Sequence, residues 1–138
     1  MKRLLVWCVM LIMSGCTKDN VTPTTSVLDN FDPSKATLLK HGTLMGIGHT
    51  ASGEVSLYDD HGMLIVLLDP YASQNGPDLK VYLSKDINAS EYLNLGKLKA
   101  IQGKQSYVVP ASTDITKYSY VHIWCEQFTV VFGRAEIK

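Results

Sequence analysis

The chain has 138 residues, with 13 Lys and Arg against 13 Asp and Glu, and 46% of its residues are hydrophobic. That length and content suit one domain with a core of its own and exclude intrinsic disorder. Zero formal charge with no basic stripe excludes the electrostatic footprint of a nucleic-acid binder and gives no charge-based grip on an anionic membrane.

Residues 1–15 read as a signal peptide. Lys2 and Arg3 form a positive start, and Leu4 to Met13 is an apolar run too short to span a bilayer as an anchor. Met13-Ser14-Gly15-Cys16 resembles the lipobox of bacterial lipoproteins, in which the Cys is acylated and becomes the new N-terminus. On that reading Cys16 carries the lipid that holds the protein to the membrane. The alternative is an ordinary secretory signal cut near Gly15. Thr17, not Asp, follows Cys16, so the expected address is the bacterial cell envelope, at the outer membrane. Residues 16–30 are polar and lack an apolar period, which predicts a flexible tether. Phe31 then looks like a packing plug at the start of a domain spanning 31–138.

From Leu38 onward the texture is short alternating runs between turn signals. Strands are predicted over Leu38–Met45, Glu54–Tyr58, Met63–Leu68, Leu79–Ser84, Leu93–Ile101 and Gln105–Val109. Asp59 to Gly62 is a tight-hairpin signal, and the unbroken apolar run Met63–Leu68 belongs inside a sheet, covered on both faces. Asp69 to Asp78 reads as the longest loop, and Ser112–Lys117 as one helical turn. The chain ends in a predicted hairpin, Tyr118–Lys138, which reverses near Glu126 and Gln127. With no sustained helical period, the expected fold is all-β: a single antiparallel β-sandwich or flattened barrel of about eight short strands, its C-terminal hairpin carrying Cys125.

Of the three cysteines, Cys8 leaves with the leader and Cys16 is taken by lipid, so Cys125 is the single thiol expected in the mature protein. Unpaired thiols are unusual outside the cytoplasm. Alternation puts Val121, Ile123 and Cys125 on one face of the strand, the core face, and Tyr120, His122 and Trp124 on the other. Cys125 is then either an inert buried residue or a redox thiol.

The order Gly42, Leu44; His49, Ala51, Gly53, Val55; Gly76-Pro77-Asp78-Leu79 with Val81-Tyr82-Leu83-Ser84; Gly103, Gln105, Tyr107, Val109-Pro110; and Ile123-Trp124-Cys125 with Phe128, Val130, Phe132 and Ala135 resembles the "DM thirteen" electron-transfer domain family. The resemblance runs from Leu38 to Lys138. It implies a β-sandwich with one characteristic Cys, here Cys125, and an electron-transfer role. No second redox domain is fused to it, so an electron partner would be a separate envelope protein.

A metal site needs three or four convergent ligands. His41, His49, His61, His122 and Cys125 contain no close-spaced pair, and His122 and Cys125 face opposite ways on a straight strand. Haem would draw an axial ligand from Cys125, His49, Met45 or Met63, although the methionines read as core filler. Neither cofactor is required by the pattern. His61 reads as a turn residue, and His49 as a side chain fixing its Gly-rich turn by hydrogen bonding. No nucleophile elbow, phosphate loop or zinc-peptidase helix marks a conventional enzyme, and Glu126 beside Cys125 opposes thiolate formation. Two functions stay open. One is redox chemistry at Cys125. The other is a non-catalytic binding module presenting Tyr71, Asn75 and Asp78 in the long loop together with the Trp124 face and His49.

Overall fold

In a computed structural model, which describes residues 21–138, eight antiparallel strands account for nearly all regular structure. They are β1 (Thr37–Gly46), β2 (Ala51–Asp60), β3 (Met63–Ser73), β4 (Leu79–Ser84), β5 (Tyr92–Lys97), β6 (Gln105–Val108), β7 (Tyr120–Cys125) and β8 (Val130–Glu136). The expected signal peptide, residues 1–15, and the expected lipidation site Cys16 lie outside the described residues.

The strands form one sheet in the order β5-β4-β7-β8-β1-β2-β3-β6. Of the two expected architectures the flattened barrel is the one found, nearly closed between the edge strands β5 and β6. Side chains bridge that seam. Gln105 is fully buried, and its Oε1 accepts from the Lys99 and Ala100 amides and from Tyr107 Oη, while its Nε2 donates to Ala100 O at 2.9 Å. One glutamine thus satisfies backbone groups of the connection between these strands that would otherwise be orphaned in the interior. On the opposite side β1 and β8 approach so closely that a Cβ on Gly42 would lie 2.0 Å from Glu136 O.

Inward side chains alternate as the pleat requires: Val55 and Leu57 on β2, Val66 and Leu68 on β3, Leu79, Val81 and Leu83 on β4, and Val121, Ile123 and Cys125 on β7. The His61-Gly62 turn joins β2 to β3 with positive φ at both residues (53° and 91°), the geometry a two-residue hairpin demands.

Two expectations need correction. β3 does not stop at Leu68 but runs to Ser73, so the loop before β4 is only 74–78. The register shifts between Gly53 and Val55, and this bulge sets Asp69 and Pro70 on the exposed side while Tyr71 returns to the core beside Val66 and Leu68. The second concerns the tether. Residues 21–30 lie along the barrel as a strap instead of standing free. Ile101 N donates to Pro23 O, Gln102 Nε2 to Thr24 O, and Ser106 N and Oγ to Asp29 Oδ2 at 2.7 and 2.8 Å. Phe31 packs on Tyr58, and Tyr58 pairs with Ile65. The strap therefore helps cover the outer face of β3, as that strand's unbroken apolar run requires.

Candidate functional site

Cys125 is the one cysteine among the described residues, and it is completely buried. It closes the inward row of β7, opposite Leu79 on β4 and Val130 on β8. Its thiol donates to Pro77 O at 3.0 Å. Pro77 belongs to the loop 74–78, so this segment is the cover of the thiol.

The cover is held from three sides. Gln74 N donates to Thr50 O, and Thr50 N donates back to Gln74 Oε1 at 3.1 Å, tying the loop to the β1–β2 turn. Asn75 Nδ2 donates to Thr22 O at 2.8 Å, and Val21 bridges Pro77, tying it to the strap. Glu126 N donates to Asp78 O, tying it to the β7–β8 turn. Gly76 sits against the Phe132 ring, where a Cβ would come within 2.6 Å of a ring carbon. This close approach explains a glycine in the Gly-Pro-Asp-Leu element. A small cavity of about 60 Å³ lies between the strap and β4, lined by residues including Thr22, Asp78 and Leu79. It suits a few waters and is far too small for a haem.

The outer face of the same strands carries a second arrangement. Tyr82 is sandwiched by Tyr92 and Trp124, with ring centroids 4.1 and 5.7 Å apart. Its hydroxyl donates to Glu126 Oε1 at 2.6 Å, and burial first and then this carboxylate push the phenol well above its ordinary range. Lys80 Nζ lies 2.7 Å from Asp78 and 3.5 Å from Glu126. The hydrogen bond to Asp78 is the main reason its ammonium is held more tightly than usual. The Glu126 carboxylate is thus engaged by Lys80, Tyr82 and Asn94 on the outer face. His122 is fully buried on this face, its Nε2 2.8 Å from Ser84 Oγ.

The other expected site residues fall as follows. His49 stacks on Phe132 at 3.8 Å and nearly parallel. Gln74 and backbone bonds tie its turn to the loop 74–78, and the His49 ring makes no hydrogen bond among the described residues. Neither His49 nor His122 is bonded to Cys125, and His122 lies on the opposite face of β7. Tyr71 is buried, with its hydroxyl on Ser73, so it is not part of a contact surface; the β3 bulge turned it inward. Asp78 is engaged by Lys80, and Trp124 is half-buried against Tyr82. Met45 and Met63 are exposed, contrary to the core role expected of them, because each sits near a strand end on the outer side. Among the described residues, no group of three His, Cys, Asp or Glu side chains is arranged to hold a metal ion.

Sequence reasoning missed Thr22, Asn75, Pro77 and Phe132 as the surroundings of the thiol. Only the Gly76-Pro77 pair carried a signal, a glycine where a backbone passes close to a ring. Comparison with protein families matches one model, described as "Electron transfer DM13", over residues 43–137, well over half of the chain. Comparison with curated proteins and with solved structures finds no match.

Proposed function

The chain belongs to the Electron transfer DM13 family, and from that membership we propose that it serves as a redox module of the bacterial envelope, lipid-anchored at Cys16, with Cys125 as its working group. The observation that carries this reading is the thiol itself. Cys125 is the one cysteine of the described domain, buried, and capped by a single carbonyl of a short loop. A residue in this position is shielded from adventitious oxidants and becomes reactive when one loop lifts.

The chemistry is thiol–disulfide exchange with a dithiol or disulfide protein of the envelope. Opening of the loop 74–78 releases the thiol proton to water. The Cys125 thiolate attacks one sulfur of the partner disulfide; the Cys125–partner S–S bond forms, the partner S–S bond breaks, and the second partner sulfur leaves as thiolate. A further thiol attacking the partner's half of this mixed disulfide releases Cys125 as thiolate. No cofactor is needed for this exchange.

The test is labelling of the native protein with a thiol reagent, beside Asn75→Ala, which removes the bond to Thr22 O. Losing one such bond costs about 1 kcal/mol, so Cys125 should label roughly fivefold faster in the variant, and in both proteins far faster than global unfolding. Cys125→Ser should also abolish mixed-disulfide formation with oxidised glutathione. If both proteins react only as fast as they globally unfold, Cys125 is an inert core residue and the proposal falls. The binding-module alternative retains the Trp124 face but loses Tyr71 from its contact surface.

A further inference from the structure

The two ends of the barrel differ in charge. The end carrying Cys125 is built from the connections 47–50, 74–78, 98–104 and the turn 126–129. Gly46-Ile47-Gly48-His49-Thr50, Gln74-Asn75-Gly76-Pro77 and Gln127-Phe128-Thr129-Val130 contain no Asp, Glu, Lys or Arg. The acidic residues nearby, Asp78 and Glu126, are both engaged by Lys80, and the remaining connection contributes only the cations Lys99 and Lys104. Apolar side chains nevertheless stand out here: Phe128 is 63% exposed, Val21 60% and Val130 38%. The opposite end also exposes apolar groups such as Met63, but it sets them among Asp59, Asp60, Asp86, Glu91, Asp114 and Lys117. Exposed apolar turn tips, Phe128 foremost, with the nearby carboxylates paired and only cations added, are what an interfacial surface requires.

Connectivity says which surface this is. The described chain enters at this end, where Val21 bridges Pro77. Cys16 precedes Val21 by only five residues, a reach of about 17 Å even if fully extended. We propose that the Cys125 end rests directly on the lipid bilayer, with Phe128 and Val130 entering the interface beside the strap. This rests on the lipid anchor at Cys16 proposed above and adds to it a second, protein-borne contact. The acyl chains hold the protein to the membrane, and the protein-borne contact fixes which face of the barrel meets it. The cover of Cys125 then lies at the membrane–water boundary, where an opened loop still meets water, so that exchange partners approach along the membrane.

The experiment uses the acylated full-length mature protein in phosphatidylethanolamine–phosphatidylglycerol vesicles with brominated acyl chains. Trp124→Phe provides a background into which one Trp is placed, by Phe128→Trp or, at the far end, by Met63→Trp. Bromine should quench the fluorescence of the Phe128→Trp protein several-fold and leave the Met63→Trp protein unaffected. Equal quenching of both, or quenching of the Met63→Trp protein alone, overturns the orientation. Phe128→Trp emission that shifts with protein density in the membrane but ignores bromine assigns this face to a second copy of the chain and overturns the proposal. If Phe128→Trp is unquenched while mass spectrometry and flotation show an acylated, bound protein, the docking fails and the anchor stands. If Cys16 carries no acyl group, the anchor reading itself has failed, and the docking proposal with it.

Discussion

Replacing His122 by Phe should flatten the acid limb of the stability curve. The His122 ring is fully buried, with Nε2 on Ser84 Oγ and Nδ1 lacking any partner among the described residues. Burial first, and then the nearby Arg134 charge, push its pKa down to about 4. In the unfolded chain it titrates near 6.5. Above pH ~6.5 both states are neutral and the residue makes stability independent of pH. As pH falls from ~6.5 to about 4 only the unfolded chain takes up the proton, so stability is lost over this window and no further below it. The gap corresponds to roughly 3 kcal/mol, a large share of a typical domain stability. Carboxylates act lower down. Asp86 is held to about 2, first by the Ser90 hydroxyl, so its contribution is lost only as pH falls below its ordinary 3.8. Phe fits a site flanked by the Tyr120 and Trp124 rings, and Ser84 Oγ keeps Asp86 O as an acceptor at 2.8 Å. Urea unfolding of both proteins from about pH 7 to pH 4 reads the difference directly. The native protein should lose roughly 3 kcal/mol more than the variant across the window. Parallel curves would refute the argument and mean that the folded domain admits a proton at His122.

Gly42→Ala forces a Cβ to within 2.0 Å of the Glu136 carbonyl, a backbone collision that no rotamer relieves. It should cost about 3 kcal/mol and lower Tm by more than ~10 °C; a change of a degree or two would show that β1 and β8 can separate freely. Gln105→Leu keeps the volume at the seam but strips partners from the Ala100 amide and carbonyl. It should cost about 2 to 4 kcal/mol and speed hydrogen exchange at Ala100, whereas unchanged exchange there would mean water replaces the side chain.

Local chemistry was legible wherever it was decided within a few residues. The His61-Gly62 turn follows from the backbone freedom that turn needs, and the inward row Val121, Ile123, Cys125 from simple alternation. Alternation assigns a side chain to a face but does not say what covers that face. His122 and Trp124 share the outer face of β7, yet one is fully buried and the other half-exposed. The difference comes from the neighbouring strand, whose Ser84 and Tyr82 meet them, and that pairing is not written in either segment. The strap hides its role for the same reason. Its polar composition suits a linker, but Asp29 answers to Ser106, and Thr22 to Asn75. Asp69-Pro70 looks like a loop in the sequence but is a bulge opposite Glu54 inside a continuing strand, and it carries Tyr71 inward.

The burial of Cys125 and the family's electron-transfer role meet in the way the cover is attached. A thiol on the middle of β7 would be reached only by unfolding the barrel, since ladders to β4 and β8 flank it on both sides. Cys125 instead ends the strand, at the last pair of both ladders. What lies over it is held by two hydrogen bonds with Thr50, one to Thr22 and one from Glu126, each worth about 1 kcal/mol net. Breaking these leaves Leu79 and Val81 in place on β4, so opening at the loop is decoupled from the global transition. The proposed redox reading therefore requires that labelling of Cys125 depend weakly on denaturant, with a slope far below that of global unfolding. A slope equal to the global one would place the thiol with the core and leave the family's chemistry to residues elsewhere in the domain.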